Sequence, residues 1–361
     1  MKKTLHSGIT ALMVLLVLLS TSCGTTKTKK HLGIATYSVK GLESDIEGAF
    51  KALADDGYVV MEISNYDASK GTVAGYSPAD YAALAEKYGM KIISSHVRSK
   101  FDVSDEAGTL AAWDKVFDDH KAMGCKYVVL PMNFWSRNID TLKLQCNLLD
   151  KIGDEANSRG LQFGYHNHNM EFAKVGGTDQ NYEDFLINNT DPEKVFFEMD
   201  VYWVTVGGED PVAYLVKYPD RFKVLHIKDD YVIGASGKID YKAIFDQFYN
   251  NGYKDWFVEI EDKMTPEQRE QNMAMMNRMK EMQANGGGNP FTRRSPRPPQ
   301  GDNQGARGER GRGRQADTAA ARPPGPGFGQ QDPQVVAQKL KDSLEACKES
   351  AEYLEKADFV K

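Results

Sequence analysis

The stretch SRGLQFGYHNHNMEF, residues 158–172, contains the joint on which the reading of the whole chain turns. An amphipathic, helix-like segment, Thr141–Arg159, stops at Gly160, the residue type suited to a left-handed cap. The run LQFGYH beginning at Leu161 is then strand-like, and it ends in a polar loop. Side chains alternate along a strand, so His166 and His168 point the same way. They fill a polar corner of the core, or they share a task.

Working outward, the same joint recurs. Strand-like runs are LGIATYS from Leu32, YVVMEIS from Tyr58, KIISSH from Lys91 and KYVVLP from Lys126. After LQFGYH come KVFFEMD from Lys194, FKVLHIK from Phe222 and WFVEIE from Trp256, eight runs in all. Helix-like stretches separate them: Ser44–Asp55, Pro78–Tyr88, Thr109–Met123, Thr141–Arg159, Asn181–Asn189, Pro211–Lys217 and Tyr241–Asn250. Gly57, Gly89, Gly124, Gly160 and Gly252 punctuate the helix ends. Eight alternations predict a closed parallel (β/α)8 TIM barrel with helices outside. A doubly wound open sheet is the alternative, but Tyr37-Ser38-Val39-Lys40-Gly41 after the first strand is no Gly-rich phosphate turn.

Flanking segments depart from this pattern. Lys2 and Lys3, the apolar run Ile9 to Leu19 and the small residues before Cys23 predict a lipoprotein signal over 1–22, with Cys23 lipidated and 23–30 a tether. A plain secretory leader with an incidental cysteine is the other reading. The expected address is the periplasmic side of a membrane, reached through a lipid anchor only. The barrel is expected over 31–284, followed by a Gly/Pro/Gln/Arg-rich insertion, 285–333, after strand eight. That composition cannot bury enough apolar surface to order itself. A final helix, 334–361, closes the ring, with Val336, Leu340, Leu344 and Cys347 on one face. The insertion's arginines are read as solvated linker, and the net charge of −6 gives no reason to expect nucleic acid. Cys125, Cys146 and Cys347 have no metal-ligand spacing and read as buried hydrophobes.

Barrel chemistry sits at the C-terminal strand ends. Those ends carry Glu62, His96, Asn133, His166 with His168, Asp200, His226 with Lys228, and Glu259 with Glu261. Imidazoles and carboxylates converging on one mouth are what a divalent metal requires. Manganese, cobalt or zinc suits that mixed donor set better than calcium.

HNH on strand five, FEMD on strand six, HIKD on strand seven and VEIE on strand eight together resemble the xylose-isomerase-like barrels of the sugar phosphate isomerase/epimerase group. The resemblance covers roughly residues 31–265 plus the final helix. It implies a metal held by strands five to eight, here His166, Asp200, His226 and Glu259. Two positions depart from the family pattern: His166 stands where a glutamate is common, and Trp203 where many epimerases carry histidine. The implied catalytic set is Glu259, Lys228, His168 and Glu171, the last a means of restoring the missing carboxylate. His96, Trp203, Asn133 and Glu62 are the expected substrate contacts, with Glu62 and Glu198 alternatively buried partners of nearby cations. The implied partner is a small-molecule carbohydrate, free or keto-oxidised. The expected reaction is sugar isomerisation or epimerisation by proton abstraction beside a carbonyl. The alternatives are β-elimination or hydration of a keto-glycoside, or carbohydrate binding without turnover. A repair nuclease of the same superfamily fits less well, because it needs a basic face.

Overall fold

The computed structural model describes residues 30–285 and 332–361. The barrel strands are β1 Leu32–Ala35, β2 Tyr58–Ile63, β3 Lys91–Ser95, β4 Tyr127–Leu130, β5 Gln162–His166, β6 Val195–Asp200, β7 Phe222–Lys228 and β8 Asp255–Glu259. All pair in parallel, in the order β3-β2-β1-β8-β7-β6-β5-β4. The last seam closes through a bridge between His96 and Val129, with Lys126 N donating to Ile93 O and Val97 N to Val129 O, both at 2.8 Å. The sheet is therefore a barrel.

The helices are α1 Ile46–Asp55, α2 Pro78–Lys87, α3 Glu106–Met123, α4 Ile139–Ser158, α5 Tyr182–Asn189, α6 Val201–Val206, α7 Pro211–Lys217, α8 Tyr241–Asn250, α9 Pro266–Asn285 and α10 Pro333–Lys356. Asp45, Ser77, Asp105, Asn138, Asn181 and Asp240 each cap a helix start with a side-chain oxygen. A large apolar layer between strands and helices forms the main core, with Trp113, Phe163 and Trp256 fully buried in it.

The barrel interior is smaller and changes character along its axis. At the bottom lie Val60, Tyr127, Val129, Phe196, Val224 and Phe257. Two residues further along these strands, the inward positions become Glu62, His166, Glu198, His226 and Glu259, all buried. Gly164, inside the quoted stretch, has a packing reason: a Cβ there would stand 2.5 Å from the Phe196 ring that fills the interior.

Several features differ from the sequence expectation. The short helix α6 follows β6 without a loop, because Asp200 caps it, its Oδ1 accepting from Trp203 N at 3.0 Å. A small hairpin, 66–67 with 72–73, decorates the loop after β2. The insertion expected over 285–333 is bounded one residue inside each end, since Asn285 closes α9 and Pro333 opens α10. Residues 286–331, like the expected leader 1–22 and most of the tether, lie outside the described residues. On α10, Leu340 and Cys347 are buried while Val336 and Leu344 are half-buried. Cys125, Cys146 and Cys347 are free and buried, as expected. No described helix is long and apolar enough to cross a membrane.

Helix α9 does not stand in the ring. Met276 and Met279 pack on Met170, Tyr202 and Trp203, and Gln283 Nε2 donates to Trp135 O at 2.7 Å. It lies across the loops after β4, β5 and β6, on the C-terminal mouth.

Candidate metal centre and substrate cavity

Register puts the functional side chains beside one another. His166 is level with Glu198, Asp200 with His226, and Lys228 with Glu259. His226 Nδ1 lies 3.0 Å from Glu259 Oε2, and His166 Nε2 lies 3.9 Å from Asp200 Oδ2. Ligand atoms of Asp200, His226 and Glu259 all fall within 4.8 Å of one another. Thus the four residues expected to hold a metal are brought together.

Their electrostatics favour a cation. Three carboxylates, Asp200, Glu259 and Glu261, surround one ammonium, Lys228, while Glu62 and Glu198 face the imidazoles beneath. Lys228 Nζ is 2.6 Å from both Glu259 Oε1 and Glu261 Oε1. Burial disfavours the charged lysine, yet Glu259, Glu261 and Asp200 outweigh it and hold the group well above its ordinary range. His226 likewise resists burial, because Glu198, Glu62 and Glu259 raise it well above the usual imidazole value. Asp200 is pushed up by burial to about 7, against the pull of Lys228. Burial opposes ionisation of Glu259, but Lys228 and His226 keep it well below the usual carboxylate range. Asp200 Oδ2 and His226 Nδ1 are buried without a hydrogen-bond partner. Orphaned oxygen and nitrogen atoms facing a common point are what a bound divalent ion would satisfy, so the residues fit the expected metal.

Beneath this set lies a second layer. His226 Nε2 is 2.7 Å from Glu62 Oε1, whose other oxygen accepts from Ser94 Oγ at 2.7 Å. Glu198 Oε2 is 2.6 Å from His96 Nε2 and 3.1 Å from His166 Nδ1. Both glutamates sit directly after a register shift in their strands, at Met61/Glu62 and Phe197/Glu198, which re-aims the side chain.

Above the centre opens a cavity of about 500 Å³. Of the expected residues, His96, His166, His168, Trp203 and Glu259 line it. Asn133, Glu62 and Glu171 do not, and Asp200, His226 and Lys228 lie behind its wall. Asn133 presents its backbone N–H to the Tyr165 hydroxyl at 3.3 Å. Glu62 is buried beneath His226, as the alternative reading had it. The turn Asn169–Phe172 curls Glu171 away from the cavity, where it accepts from Tyr165 OH at 2.6 Å and from His168 N at 2.8 Å. Its burial raises it to about 7. Glu171 therefore braces the loop that carries His168, and the cavity wall lacks the carboxylate it was expected to restore.

Two polar groups at the wall lack partners: His168 Nδ1 and Trp203 Nε1. Burial lowers the His168 imidazole to about 3, so the ring is neutral. Lys228 Nζ stands 5.1 Å from the Trp203 ring centroid. Sequence reasoning missed Tyr37, Tyr66, Arg98, Asn272 and Met276, which also line the cavity. The tyrosines and Arg98 lie just beyond strand ends, where a wider reading of each loop would have found them. The two α9 residues carry no local signal.

The residue pattern of the family described as Xylose isomerase-like TIM barrel matches residues 50–279. The chain belongs to this family. A crystal structure of a sugar phosphate isomerase/epimerase from Parabacteroides distasonis ATCC 8503 is 30% identical, with a TM-score of 0.67 over 92% of this chain and 100% of that one. An inosose dehydratase of Lacticaseibacillus casei is 28% identical over 141 residues, 33% of this chain and 46% of that protein. The chain thus spans about half the length of that curated relative. The IOLI protein with a bound zinc atom shares the fold, at TM-score 0.50 and 16% identity over 71% of this chain and 98% of that one.

Proposed function

We propose that this barrel is a metal-dependent enzyme that removes a proton next to a sugar carbonyl, on a free or keto-oxidised sugar or glycoside. One observation carries the reading: ligand atoms of Asp200, His226 and Glu259 lie within 4.8 Å of one another and His166 Nε2 lies 3.9 Å from Asp200 Oδ2, with His166 and Glu259 opening on a cavity wide enough for a sugar. A manganese, cobalt or zinc ion held there supplies Lewis-acid polarisation of the carbonyl.

The chain's own groups supply the rest. Glu259, ionised and on the cavity wall, accepts the proton; the C–H electron pair becomes the C=C bond of an enediolate as the carbonyl π pair moves onto oxygen. Lys228 is a fixed buried cation beside that developing charge. His168 and Trp203 offer unpartnered ring nitrogens to hydroxyls, and Trp203 offers a face for a sugar ring.

Isomerisation or epimerisation is the leading reaction, supported by the Parabacteroides relative. A second reading, β-elimination or hydration, has its own support. Glu259 and Glu261 are the lining carboxylates among the described residues, and both come from the β8 side. The β5 side offers His166 and His168 instead, so two opposed carboxylates are lacking. Elimination needs one base only, and the Lacticaseibacillus relative is a dehydratase by name. Export and lipidation at Cys23 complete the proposal. They rest on the leader's composition and favour unphosphorylated substrates.

The test is an incubation of metal-loaded protein in D2O with ketoses, inososes and keto-glycosides, followed by NMR. Deuterium beside the carbonyl supports the proposal, and the product separates isomer from dehydration product. No exchange with any member of the panel contradicts it.

A further inference from the structure

The deep layer under the centre contains three imidazoles and two carboxylates, His96, His166, His226, Glu62 and Glu198. Such a cluster can be a second ion site or a hydrogen-bonded clamp. We infer that Glu62 and Glu198 are positioning residues that fix the tautomers of His226 and His166, and that this layer holds protons in place of a second ion. The inference rests on the proposed metal centre.

An imidazole that ligates an ion is neutral, with one N–H and one lone pair, so on metal binding His226 gives up the second proton that its carboxylates otherwise favour. For His226, Nε2 faces Glu62 Oε1 at 2.7 Å, so the hydrogen sits on Nε2 and the lone pair on Nδ1. That Nδ1 is the buried atom without a partner, 3.0 Å from Glu259 Oε2. For His166, Nδ1 faces Glu198 Oε2 at 3.1 Å, so the hydrogen sits there and Nε2 is left bare, toward Asp200. The two rings thus use opposite nitrogens, yet both lone pairs arrive on the Asp200–Glu259 side. A carboxylate behind a ligating imidazole fixes its orientation and raises its basicity.

An ion in the deep layer would demand the nitrogens that already carry these hydrogens. With both sites filled, His166 and His226 would each ligate through both nitrogens and have to lose their last proton. The contacts of 2.6 and 2.7 Å to His96 and His226 are those of charge-assisted hydrogen bonds. Glu62 spends its second oxygen on Ser94, as a hydrogen-bonded carboxylate does. His96 stacks on His226, centroids 4.9 Å apart and planes 19° apart, and its contact with Glu198 secures the ring from the side.

The experiment uses the full chain and zinc or manganese alone as probe. Competition with a chromophoric chelator gives affinity and ions per chain; long-range 1H–15N NMR of the zinc-loaded protein gives the histidine tautomers. The wild type is expected to bind one ion per chain, with His226 protonated on Nε2 and His166 on Nδ1. Glu62→Ala and Glu198→Ala should each weaken binding roughly 100-fold and blur the tautomer of the ring they face. Glu62→Gln and Glu198→Gln, which keep an acceptor oxygen, should restore the tautomer and lose about 10-fold or less. Unchanged affinity in the folded alanine variants overturns the inference; if these fail to fold, the glutamine pair decides by tautomer, and His226 protonated on Nδ1 in Glu62→Gln or His166 on Nε2 in Glu198→Gln overturns it. Two ions per chain, with one lost on His96→Ala or Glu198→Gln, also overturns it. A wild type that binds ions but turns over no sugar removes the proposed function and leaves this inference standing; one that binds none removes both.

Discussion

His166 Nε2 stands 3.9 Å from Asp200 Oδ2, too far for a hydrogen bond, and the aspartate oxygen has no hydrogen-bond partner, Lys228 Nζ being equally 3.9 Å away. Two atoms each about 2.1 Å from one ion lie at most about 4.2 Å apart, so this spacing suits shared coordination. His166 thereby fills the position where the family resemblance implies a glutamate. His166→Glu should keep an ion, with affinity within about 10-fold of wild type, because the carboxylate supplies an oxygen donor to the same point. His166→Ala should lose at least about 100-fold. Equal affinities for the two variants, measured by chelator competition, would show that the residue is no ligand.

His168 lines the cavity and belongs to neither cluster of potential metal-ligand atoms. His168→Ala is expected to leave bound metal unchanged and to raise KM or lower kcat by roughly 10- to 100-fold, the loss of one or two substrate hydrogen bonds. Trp203→Ala should act mainly on KM. Loss of metal in the His168 variant contradicts its placement.

Glu171 gives a pH signature. Burial raises its carboxyl from the ordinary 4.5 to about 7, so between those values the folded chain keeps a proton that the unfolded chain releases. Its contribution is fully present below pH 4.5 and is lost as pH rises to about 7. Relative to Glu171→Gln, which has no proton to lose, the wild type should lose up to roughly 3 kcal/mol across that window and change no further above it. Urea unfolding of both proteins across the window checks this. A pH-independent difference refutes it.

The leader prediction is independent of the barrel. Cys23→Ala should move the protein from the membrane fraction to the soluble periplasmic fraction, as read by fractionation and immunoblot. Retention in the membrane with alanine at position 23 would exclude a lipid on that residue.

What the sequence made legible follows from periodicity. The alternation of runs named all eight barrel strands, and alternation along a strand set His166 and His168 on one side. The strand-end rule then collected His166, Asp200, His226 and Glu259 from four separate motifs. What remained hidden is tertiary. Glu171 follows His168 by three residues, and nothing local states that the intervening turn directs it to Tyr165. The pairing of Glu62 with His226 spans 164 positions, and register shifts rather than composition aim it. The seat of helix α9 over the mouth is tertiary too, since it depends on Met276 and Met279 finding Tyr202 and Trp203.

The most direct test of the account is elemental analysis of purified protein dialysed after metal loading, with wild type beside Asp200→Ala, His226→Ala and Glu259→Ala. The account predicts about one manganese, cobalt or zinc ion per wild-type chain, and near-complete loss in each variant with the fold preserved by circular dichroism. Stoichiometric metal in the Asp200 and His226 variants, or none in the metal-loaded wild type, would contradict it.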